Sequence, residues 1–361
     1  MKKRLIGILL SLTMAVGLMA GCGESISTSQ ESPSSNSGET EQASGGSESS
    51  GLTEKIELSL GHGQQGSSAP GKAIEAFAQK VKEDSDGMIE ITVYPAAQIG
   101  AERDLMEGLS MGSVDMGYIS AGVTENYAPT AGIFNLPFIF DDYDHAQAVM
   151  ADETVCSTIQ NELTNSNIKL LTPLIQGNRY LWTTKEVDFG DLSTLEGLKI
   201  RVPEAPMAVG IWKALKANPT AISWAELYTA MSTKIVNAFE VHAWAVTMEN
   251  LQETFNYAYL TNHQTSVALL MFSQSVWDSL PEEARQIILN NIDYLIDENA
   301  ANIISGEEEE LKTIQEDGIK ITELTDDQKN QIRERCADLT NGWVRDTENA
   351  QTLYDVVQSL R

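Results

Sequence analysis

Two arginines stand among apolar neighbours, where a cation needs a partner of its own. Arg201 lies between Ile200 and Val202 in the stretch GLKIRVPEAP, and Arg179 lies in LIQGNRYLWTT. A planar guanidinium offers parallel N–H donors that match a carboxylate at two points, which a lysine ammonium cannot do. Each arginine can therefore anchor a carboxylate ligand or pair with one of the chain's own acids, and the residues alone leave both alternatives open.

Aromatic residues gather in the same part of the chain and could cover the apolar face of a small molecule. They are Trp182, Trp212, Trp224, Phe239 and Trp244. Trp224 is the best candidate for a ligand contact, because the residues around it predict a loop that caps a helix. The other four are more typical of a core.

The familiar catalytic motifs are missing from this sequence. The chain contains no G-x-S-x-G, Walker loop, G-x-G-x-x-G or H-E-x-x-H motif. Its four histidines, at positions 62, 145, 242 and 263, do not have the spacing of metal ligands. We predict no catalytic residue, no metal and no cofactor, although an enzyme with a noncontiguous site remains an alternative.

The elements that must position these side chains follow an α/β pattern. Strand-like alternation at 56–60 and 89–93 flanks a helical pattern, and a helix at 102–110 precedes a strand at 113–120. This order predicts a parallel sheet with helices on its faces. A similar helix, turn and strand return at 226–241, which indicates two lobes of one architecture.

Arg201 falls at the end of a predicted strand, 198–202, that Pro203 stops. Ligands of open α/β sheets bind in the crevice outside the carboxyl ends of the strands, so this position favours a ligand contact. Further on, a long helix is predicted from Ser279 through Ile296, and Thr325 to Gln328 has capping-box spacing.

The N-terminal segment has the features of an export signal. Basic residues precede a short apolar run, and small residues stand just before Cys22. We predict a lipoprotein signal peptide over 1–21, lipidation of Cys22, and a flexible tether rich in Ser, Gly and Glu over 22–52. The mature protein is then extracytoplasmic and anchored to the membrane by lipid.

The net charge limits the classes of partner, and the cysteines raise the question of a disulfide. The net charge is −28, and it becomes −31 when Lys2, Lys3 and Arg4 leave with the signal, so nucleic acid is excluded as a partner. Salt screens this field over ~8 Å, so a guanidinium in contact with an anion can still hold it. Of the remaining cysteines, Cys156 and Cys336 are expected to be unpaired, with a disulfide between them as the alternative.

Several stretches resemble substrate-binding subunits of the tripartite ATP-independent periplasmic (TRAP) transporters for organic acids. They are ITVYPAAQIGAERDLMEGLSMGSVDMGYIS, NLPFIFDDYDHAQAVM, GNRYLWTT and GLKIRVPEAPMAVGIWKALKANPTAISWAELYTAMSTKIVNAFE. The resemblance implies a two-lobed fold like that of periplasmic binding proteins, with a hinge and a long helix crossing both lobes. Its expected boundaries are 53–176 with 267–306 for lobe I, and 177–266 with 307–361 for lobe II.

The resemblance also implies roles for individual residues. Arg201 corresponds to the arginine that receives the ligand carboxylate, Arg179 to a second cation, and Trp224 to an aromatic residue that flanks the ligand. From the other lobe, the resemblance adds His62, Glu102 and Ser120 as residues that face polar groups of the ligand. It further implies a supporting network of Arg103, Glu240 and His263.

One segment departs from the family pattern. Where relatives read close to V-D-G-Q-E-N-P, this chain reads VNAFEVH, so Val241 replaces an asparagine and Phe239 replaces a glutamine. We expect both residues to affect the ligand site, making the far end of the ligand less hydroxylated than a sugar acid. His62, Glu102 and His242 could restore polar contacts there, and a repacked turn without effect on the ligand is the alternative.

The resemblance implies a protein that captures an organic-acid anion and delivers it to the small and large TRAP membrane subunits, for uptake driven by an ion gradient. A binding protein of an ATP-driven importer is the first alternative. An anchored enzyme that acts on an anionic substrate is the second.

Overall fold

The computed structural model describes residues 51–361, and the predicted signal peptide, Cys22 and almost all of the predicted tether lie outside these residues. The strands are β1 (Ile56–His62), β2 (Ile89–Tyr94), β3 (Met116–Ser120), β4 (Ile168–Asn178), β5 (Tyr180–Thr183), β6 (Lys199–Val202), β7 (Asn218–Ala221), β8 (Ala238–Val241), β9 (Tyr257–Leu260), β10 (Thr265–Ser273) and β11 (Lys320–Glu323).

The α-helices are α1 (Ala69–Asp84), α2 (Glu102–Met111), α3 (Ala121–Thr124), α4 (Tyr143–Ala151), α5 (Glu153–Thr164), α6 (Pro206–Ala214), α7 (Leu227–Ser232), α8 (Ala243–Met248), α9 (Gln274–Ser279), α10 (Glu282–Asn290), α11 (Ile292–Glu316), α12 (Asp326–Asp346) and α13 (Ala350–Ser359). Short 3₁₀ helices occupy Pro129–Asn135, Leu192–Leu195, Trp224–Glu226 and Leu251–Thr254.

Two sheets form the centres of two lobes. The first has the order β2-β1-β3-β10-β4, and the second has the order β11-β9-β5-β8-β6-β7. We call the elements around them the first lobe and the second lobe. The sequence predicted parallel strands, and β1, β2 and β3 are parallel, but β10 pairs antiparallel with β3 and β4. In the second sheet β5 pairs antiparallel with β8 and β9, whereas β6 is parallel to β7 and β8. Each sheet is therefore mixed, and the antiparallel strands β10 and β5 are the ones that arrive from the opposite lobe.

The helix α11 crosses both lobes, as the resemblance implied. It packs against α1 and β4 of the first lobe and against α8 of the second. Asn299 donates to the carbonyl of Ile175 at 2.7 Å, and Glu307 accepts from the Tyr180 hydroxyl at 2.6 Å. With 25 residues, α11 is about 37 Å long at ~1.5 Å per residue, enough to reach both sheets.

Local sequence signals account for the ends of several helices. Ser68 caps α1 by accepting from the N–H of Gly71, and Thr325 and Gln328 form the predicted capping box of α12. The predicted single helix from Ser279 through Ile296 is wrong. Helix α9 ends at Ser279, the stretch that follows is divided between α10 and the start of α11, and the backbone leaves helical geometry at Asn291 between these two helices.

The lobes are joined by packing as well as by chain connections. One cluster of buried side chains includes Phe134 of the first lobe, Trp212 of the second and Trp343 of α12. The predicted lobe boundaries remain a prediction. Two features of the structure concern where one lobe ends and the other begins. Strands β4 and β10 extend to Asn178 and Thr265, and α13 packs against α5 and the 3₁₀ helix Pro129–Asn135.

Cys156 and Cys336 are free thiols, which confirms that prediction. Within residues 51–361, no helix combines the length and the apolar character that a membrane span requires.

Candidate functional site

A cavity of about 270 Å³ lies between the two lobes. Segments at or beyond the carboxyl ends of strands supply much of its lining, as expected for open α/β sheets. The first lobe contributes Gly63, Gln64, Gln65, Ala96, Ala97, Ala101, Glu102, Ser120, Val123 and Gln176. Arg179 and residues of the second lobe complete it: Arg201, Pro203, Glu204, Ser223, Trp224, Ala225, Leu227, Tyr228, Val241, His242, Glu249 and Leu251.

Arg201 reaches this cavity from the end of β6 and is only 2% exposed. Its Nε donates to the carbonyl of Ile222 at 2.9 Å, which fixes the plane of the guanidinium. No carboxylate of residues 51–361 lies within 4.0 Å of Arg201, and neither Nη nitrogen has a hydrogen-bond partner there. Burial lowers the pKa of Arg201 to about 10, so the side chain stays charged at neutral pH.

Trp224 stacks near this guanidinium. The Arg201 Cζ lies 5.7 Å from the centre of the Trp224 ring, a distance at which the negative face of an aromatic ring attracts a cation. The ring lines the cavity from the 3₁₀ helix that leads into α7, so the loop position predicted from the sequence is where the structure places it. Trp224 can therefore orient Arg201 and still present apolar surface to the cavity.

Arg179 also lines the cavity, but most of its donors are already used. Its Nε and Nη2 bind the buried carboxylate of Glu240, with the Nη2–Oε1 distance at 2.9 Å, and Nη2 also donates to the Glu240 carbonyl at 2.8 Å. Its Nη1 donates to the Ser266 hydroxyl at 2.8 Å. Of the five N–H groups of an arginine, one on Nη1 remains available.

His263 completes this buried group, with its Nε2 at 3.6 Å from the Glu240 carboxylate. Burial disfavours the charged form of Glu240, but Arg179 and His263 outweigh this effect and lower its pKa. Arg179 stands between β4 and β5 and His263 between β9 and β10, so both occupy connections between the lobes. Because Glu240 belongs to β8, its contacts with Arg179 and His263 link both connections to that strand.

The structure does not bring Arg103 into the predicted network of Arg103, Glu240 and His263. Arg103 is exposed on α2, and its Nη1 lies 4.0 Å from a carboxylate oxygen of Glu204 at the rim of the cavity. Arg179 takes the place that the sequence interpretation gave to Arg103. Arg103 lies in the first turn of α2 and faces solvent, whereas Arg179 lies in the connection between β4 and β5, where the chain passes from one lobe to the other.

Glu102 and Ser120 meet on the first-lobe side of the cavity. The Ser120 N–H donates to Oε1 of Glu102 at 3.0 Å, and the Ser120 hydroxyl donates to Oε2 at 2.6 Å. Burial raises the pKa of Glu102, while the bonds from Ser120 and the charges of the two cavity arginines oppose that rise. Each carboxylate oxygen keeps a lone pair for a further donor.

Val241 lines the cavity at the end of β8, but Phe239 and His62 do not. Phe239 is fully buried, and its ring packs 6.4 Å from that of Trp182 and 5.5 Å from that of Phe255, within the core of the second lobe. His62 is also fully buried, with its ring 6.5 Å from that of Tyr118, and burial lowers its pKa to about 4. Each side chain packs inside its own lobe, so neither contacts the cavity.

Sequence reasoning missed several lining residues. Gln176 is 3% exposed on β4, and a polar residue so close to Arg179 in an apolar strand is the same kind of signal that singled out Arg201. Gln65, Glu204 and Glu249 follow strands or helices without any distinctive pattern, and only the packing of the lobes brings them to the cavity.

Two side-chain hydrogen bonds between the lobes involve residues that line the cavity. Gln65 Nε2 donates to Glu249 at 3.2 Å. Asn126 Nδ2 donates to the carbonyl of Glu204 at 3.2 Å. Across residues 51–361, no group of three or more His, Cys, Asp or Glu side chains is arranged to hold a metal ion.

A cavity between two lobes, lined by a free arginine fork, is the arrangement of a binding protein for a small anion. The family model "Bacterial extracellular solute-binding protein, family 7" (DctP) matches residues 60–346. The chain belongs to this family of extracellular solute-binding proteins, and it is not an enzyme.

Relatives and solved structures agree with this assignment. The sialic acid-binding periplasmic protein SiaP of Vibrio cholerae is 26% identical over 246 residues, which are 68% of this chain and 76% of SiaP. The sugar acid binding protein DctPAm of Advenella mimigardefordensis, solved with galactonate, shares the fold with a TM-score of 0.81 at 23% identity, over 85% of this chain and 99% of that one. A TRAP periplasmic solute binding protein of Haemophilus influenzae, solved with L-gulonate, superposes with a TM-score of 0.80 at 23% identity, over 85% and 100%.

Proposed function

We propose that this protein captures an organic-acid anion between its lobes and delivers it to TRAP membrane subunits for uptake driven by an ion gradient. The observation that carries the proposal is the Arg201 fork, buried at the cavity and without a carboxylate partner among residues 51–361. The Nε bond to Ile222 leaves the two Nη nitrogens side by side, as two-point recognition of a carboxylate requires. The cavity volume suits a metabolite-sized ligand, because drug-sized ligands occupy ~300 to 1,000 Å³.

The other lining residues then take distinct roles. Trp224 packs against the body of the ligand, and the remaining N–H of Arg179 adds a second donor near the carboxylate. Glu102 accepts from a donor group at the other end, with Ser120 holding its carboxylate in place. Val241 supplies an apolar wall where a polar side chain would otherwise contact the ligand.

We further propose that the lobes open to admit the ligand and close around it. Closing removes water from the cavity, which strengthens the pairing between Arg201 and the carboxylate. Gln65 with Glu249 and Asn126 with Glu204 are contacts of the closed form, since each joins residues of opposite lobes. The hinge runs through the connections that hold Arg179 and His263.

The membrane anchor is part of the same proposal, and its support is the sequence before the described residues. Lipidated Cys22 and a tether of about 30 residues would keep the binding lobes within reach of the membrane subunits. Mass spectrometry of the protein extracted from membranes tests this point, because an unmodified Cys22 contradicts it.

The experiment for the carboxylate anchor is calorimetry with acids that relatives bind, such as galactonate and L-gulonate. Truncating one partner of a buried, hydrogen-bonded charge pair costs ~2 to 5 kcal/mol. Arg201→Ala should therefore weaken binding about 30-fold or more. Arg201→Lys keeps the charge but loses the fork, and its affinity should fall between those of Arg201→Ala and the unaltered protein.

The exposed Arg345, which pairs with Asp346, provides the matched control. Arg345→Ala should bind like the unaltered protein. The unliganded Arg201→Ala protein should be as stable as the original or more so, because it no longer buries an unpaired cation. Unchanged affinity in Arg201→Ala would contradict the anchor role.

A further inference from the structure

The positive charge available to a ligand in the cavity is limited to one arginine. Arg179 and Arg201 are the basic residues among those that line it. The charge of Arg179 is balanced by the fully buried Glu240, which binds it through both carboxylate oxygens. Among the described lining residues, Arg201 alone presents an unengaged fork, and one fork binds one carboxylate.

Negative charge surrounds the remaining space. Glu102, Glu204 and Glu249 line the same cavity from both lobes. Within residues 51–361, the hydrogen-bond donor to Glu102 is the neutral Ser120, and Glu249 accepts from the neutral Gln65 at 3.2 Å. Arg103 lies 4.0 Å from Glu204 and is largely exposed to solvent, and the charge of Arg201 also acts on Glu204. Burial raises the pKa of Glu102, and the charges of Arg201 and Arg179 oppose that rise. Glu102 and Glu204 thus already interact with the one unpaired cation of the cavity, and no further cation among the described lining residues is left for a second carboxylate.

Histidine does not supply the missing positive charge. His242 is the histidine that lines the cavity, and burial together with the charge of Arg179 lowers its pKa well below the usual value. His62, behind the lining, is fully buried, and burial lowers its pKa to about 4. Both rings are neutral at pH 7, so neither supplies a countercharge, and His242 is the one of the two that lines the cavity and can form a hydrogen bond with a ligand.

From these charges we infer that the ligand carries a single carboxylate, with uncharged or cationic groups elsewhere, and that Glu102 excludes dicarboxylates of the same size. The inference rests on the proposed function, since it assumes that Arg201 receives the first carboxylate. A second carboxylate would lie within several ångströms of at least one lining glutamate and would have no cation. A hydroxyl or ammonium group at that end would instead donate to Glu102.

The size of the discrimination follows from the repulsion between like charges. Two unit charges about 6 Å apart, screened as at a protein surface, repel by an energy that corresponds to roughly 100-fold in affinity. Because water and salt screen part of this repulsion, we expect the monocarboxylate of a matched pair to bind about 30-fold more tightly or better.

The test compares pairs of acids that differ only in the terminal group, CH₂OH in one member and carboxylate in the other. Suitable pairs are galactonate with galactarate, L-gulonate with D-glucarate, and D-erythronate with meso-tartrate. Calorimetry at pH 7 on the unaltered protein gives the affinity ratio directly. A dicarboxylate that binds as tightly as its partner, or more tightly, overturns the inference.

Glu102→Gln identifies the residue responsible. This variant removes the charge and retains an oxygen that accepts from Ser120, so the ratio should shrink about tenfold through tighter dicarboxylate binding. Glu75→Gln, an exposed site on α1, is the control and should leave the ratio unchanged. If Glu102→Gln retains the full affinity ratio, or does not fold, selection by Glu102 lacks support. The affinity ratio of the unaltered protein still decides whether the ligand carries a single carboxylate.

The outcomes also separate this inference from the proposed function. Equal binding of both members of a pair, lost in Arg201→Ala, leaves the carboxylate anchor intact and rejects only the discrimination. A protein that binds no member of any pair contradicts both.

Discussion

A single methyl group added at Gly122 should hold the lobes apart. Gly122 lies in α3 of the first lobe, and a Cβ built on it would stand 2.6 Å from the Cβ of Ala205 in the second lobe. Side-chain carbons do not approach this closely, and a methyl group of Ala205 cannot rotate out of the way. Gly122→Ala therefore requires the lobes to separate slightly wherever these two residues face each other.

The substitution should affect the closed and open forms in opposite directions. Overpacking at a contact of this kind costs ~1 to 3 kcal/mol, and the cost applies only to the closed form. In the open form alanine is a better helix residue than glycine, by up to about 1 kcal/mol. Ligand affinity should thus fall by roughly 5- to 150-fold, while the unliganded protein remains as stable as before.

Calorimetry with a bound acid and urea unfolding of the unliganded protein measure the two effects separately. Gly306→Ala is the matched control, because Gly306 lies within α11 and a Cβ there meets no atom within 4 Å. The control should gain helix stability without losing affinity. If Gly122→Ala binds as tightly as Gly306→Ala, the closed arrangement described here is not the one that holds the ligand.

Two further predictions concern buried carboxylates. Glu240→Gln should lower the free energy of unfolding by ~3 to 5 kcal/mol, because Arg179 loses its buried countercharge, and urea titration that shows less than 1 kcal/mol would contradict this role. Burial raises the pKa of Glu125 to about 7, so the folded state binds more protons than the unfolded state from about pH 4.5 to 7 and stability falls as pH rises through this window. Glu125→Gln should flatten that fall and raise stability at pH 8 by on the order of 3 kcal/mol, whereas Glu75→Gln should not.

Much of the architecture could be predicted because local signals and periodicity determine it. The helices α1 and α2 and the strands β1, β2 and β6 lie close to the predicted ranges, since alternation and caps depend on neighbouring residues only. The break at Asn291 could not be predicted in this way. The apolar pattern continues through it, and the separate packing of α10 and α11 decides where the helix ends.

In the candidate site too, some residues could be identified from the sequence and others depended on packing. Arg201, Arg179 and Trp224 were identifiable because each is unusual for its surroundings, and all three line the cavity. Phe239 and His62 were expected there but face their own cores, since the direction of a side chain depends on how a sheet packs. Arg103 was assigned to a network that Arg179 occupies, because sequence order does not show which arginine lies at the crossing between lobes.

The sequence by itself determined the alternation of strands and helices, the presence of two lobes and the carboxylate-sized fork at the end of β6. These properties follow from periodicity and from the chemistry of single residues. Only the tertiary structure decided which charges remain free. It pairs Arg179 with Glu240, leaves Arg201 open, and brings Glu102, Glu204 and Glu249 to one cavity from distant parts of the chain. Electrostatic balance depends on distances between lobes, and no pattern along the chain contains those distances.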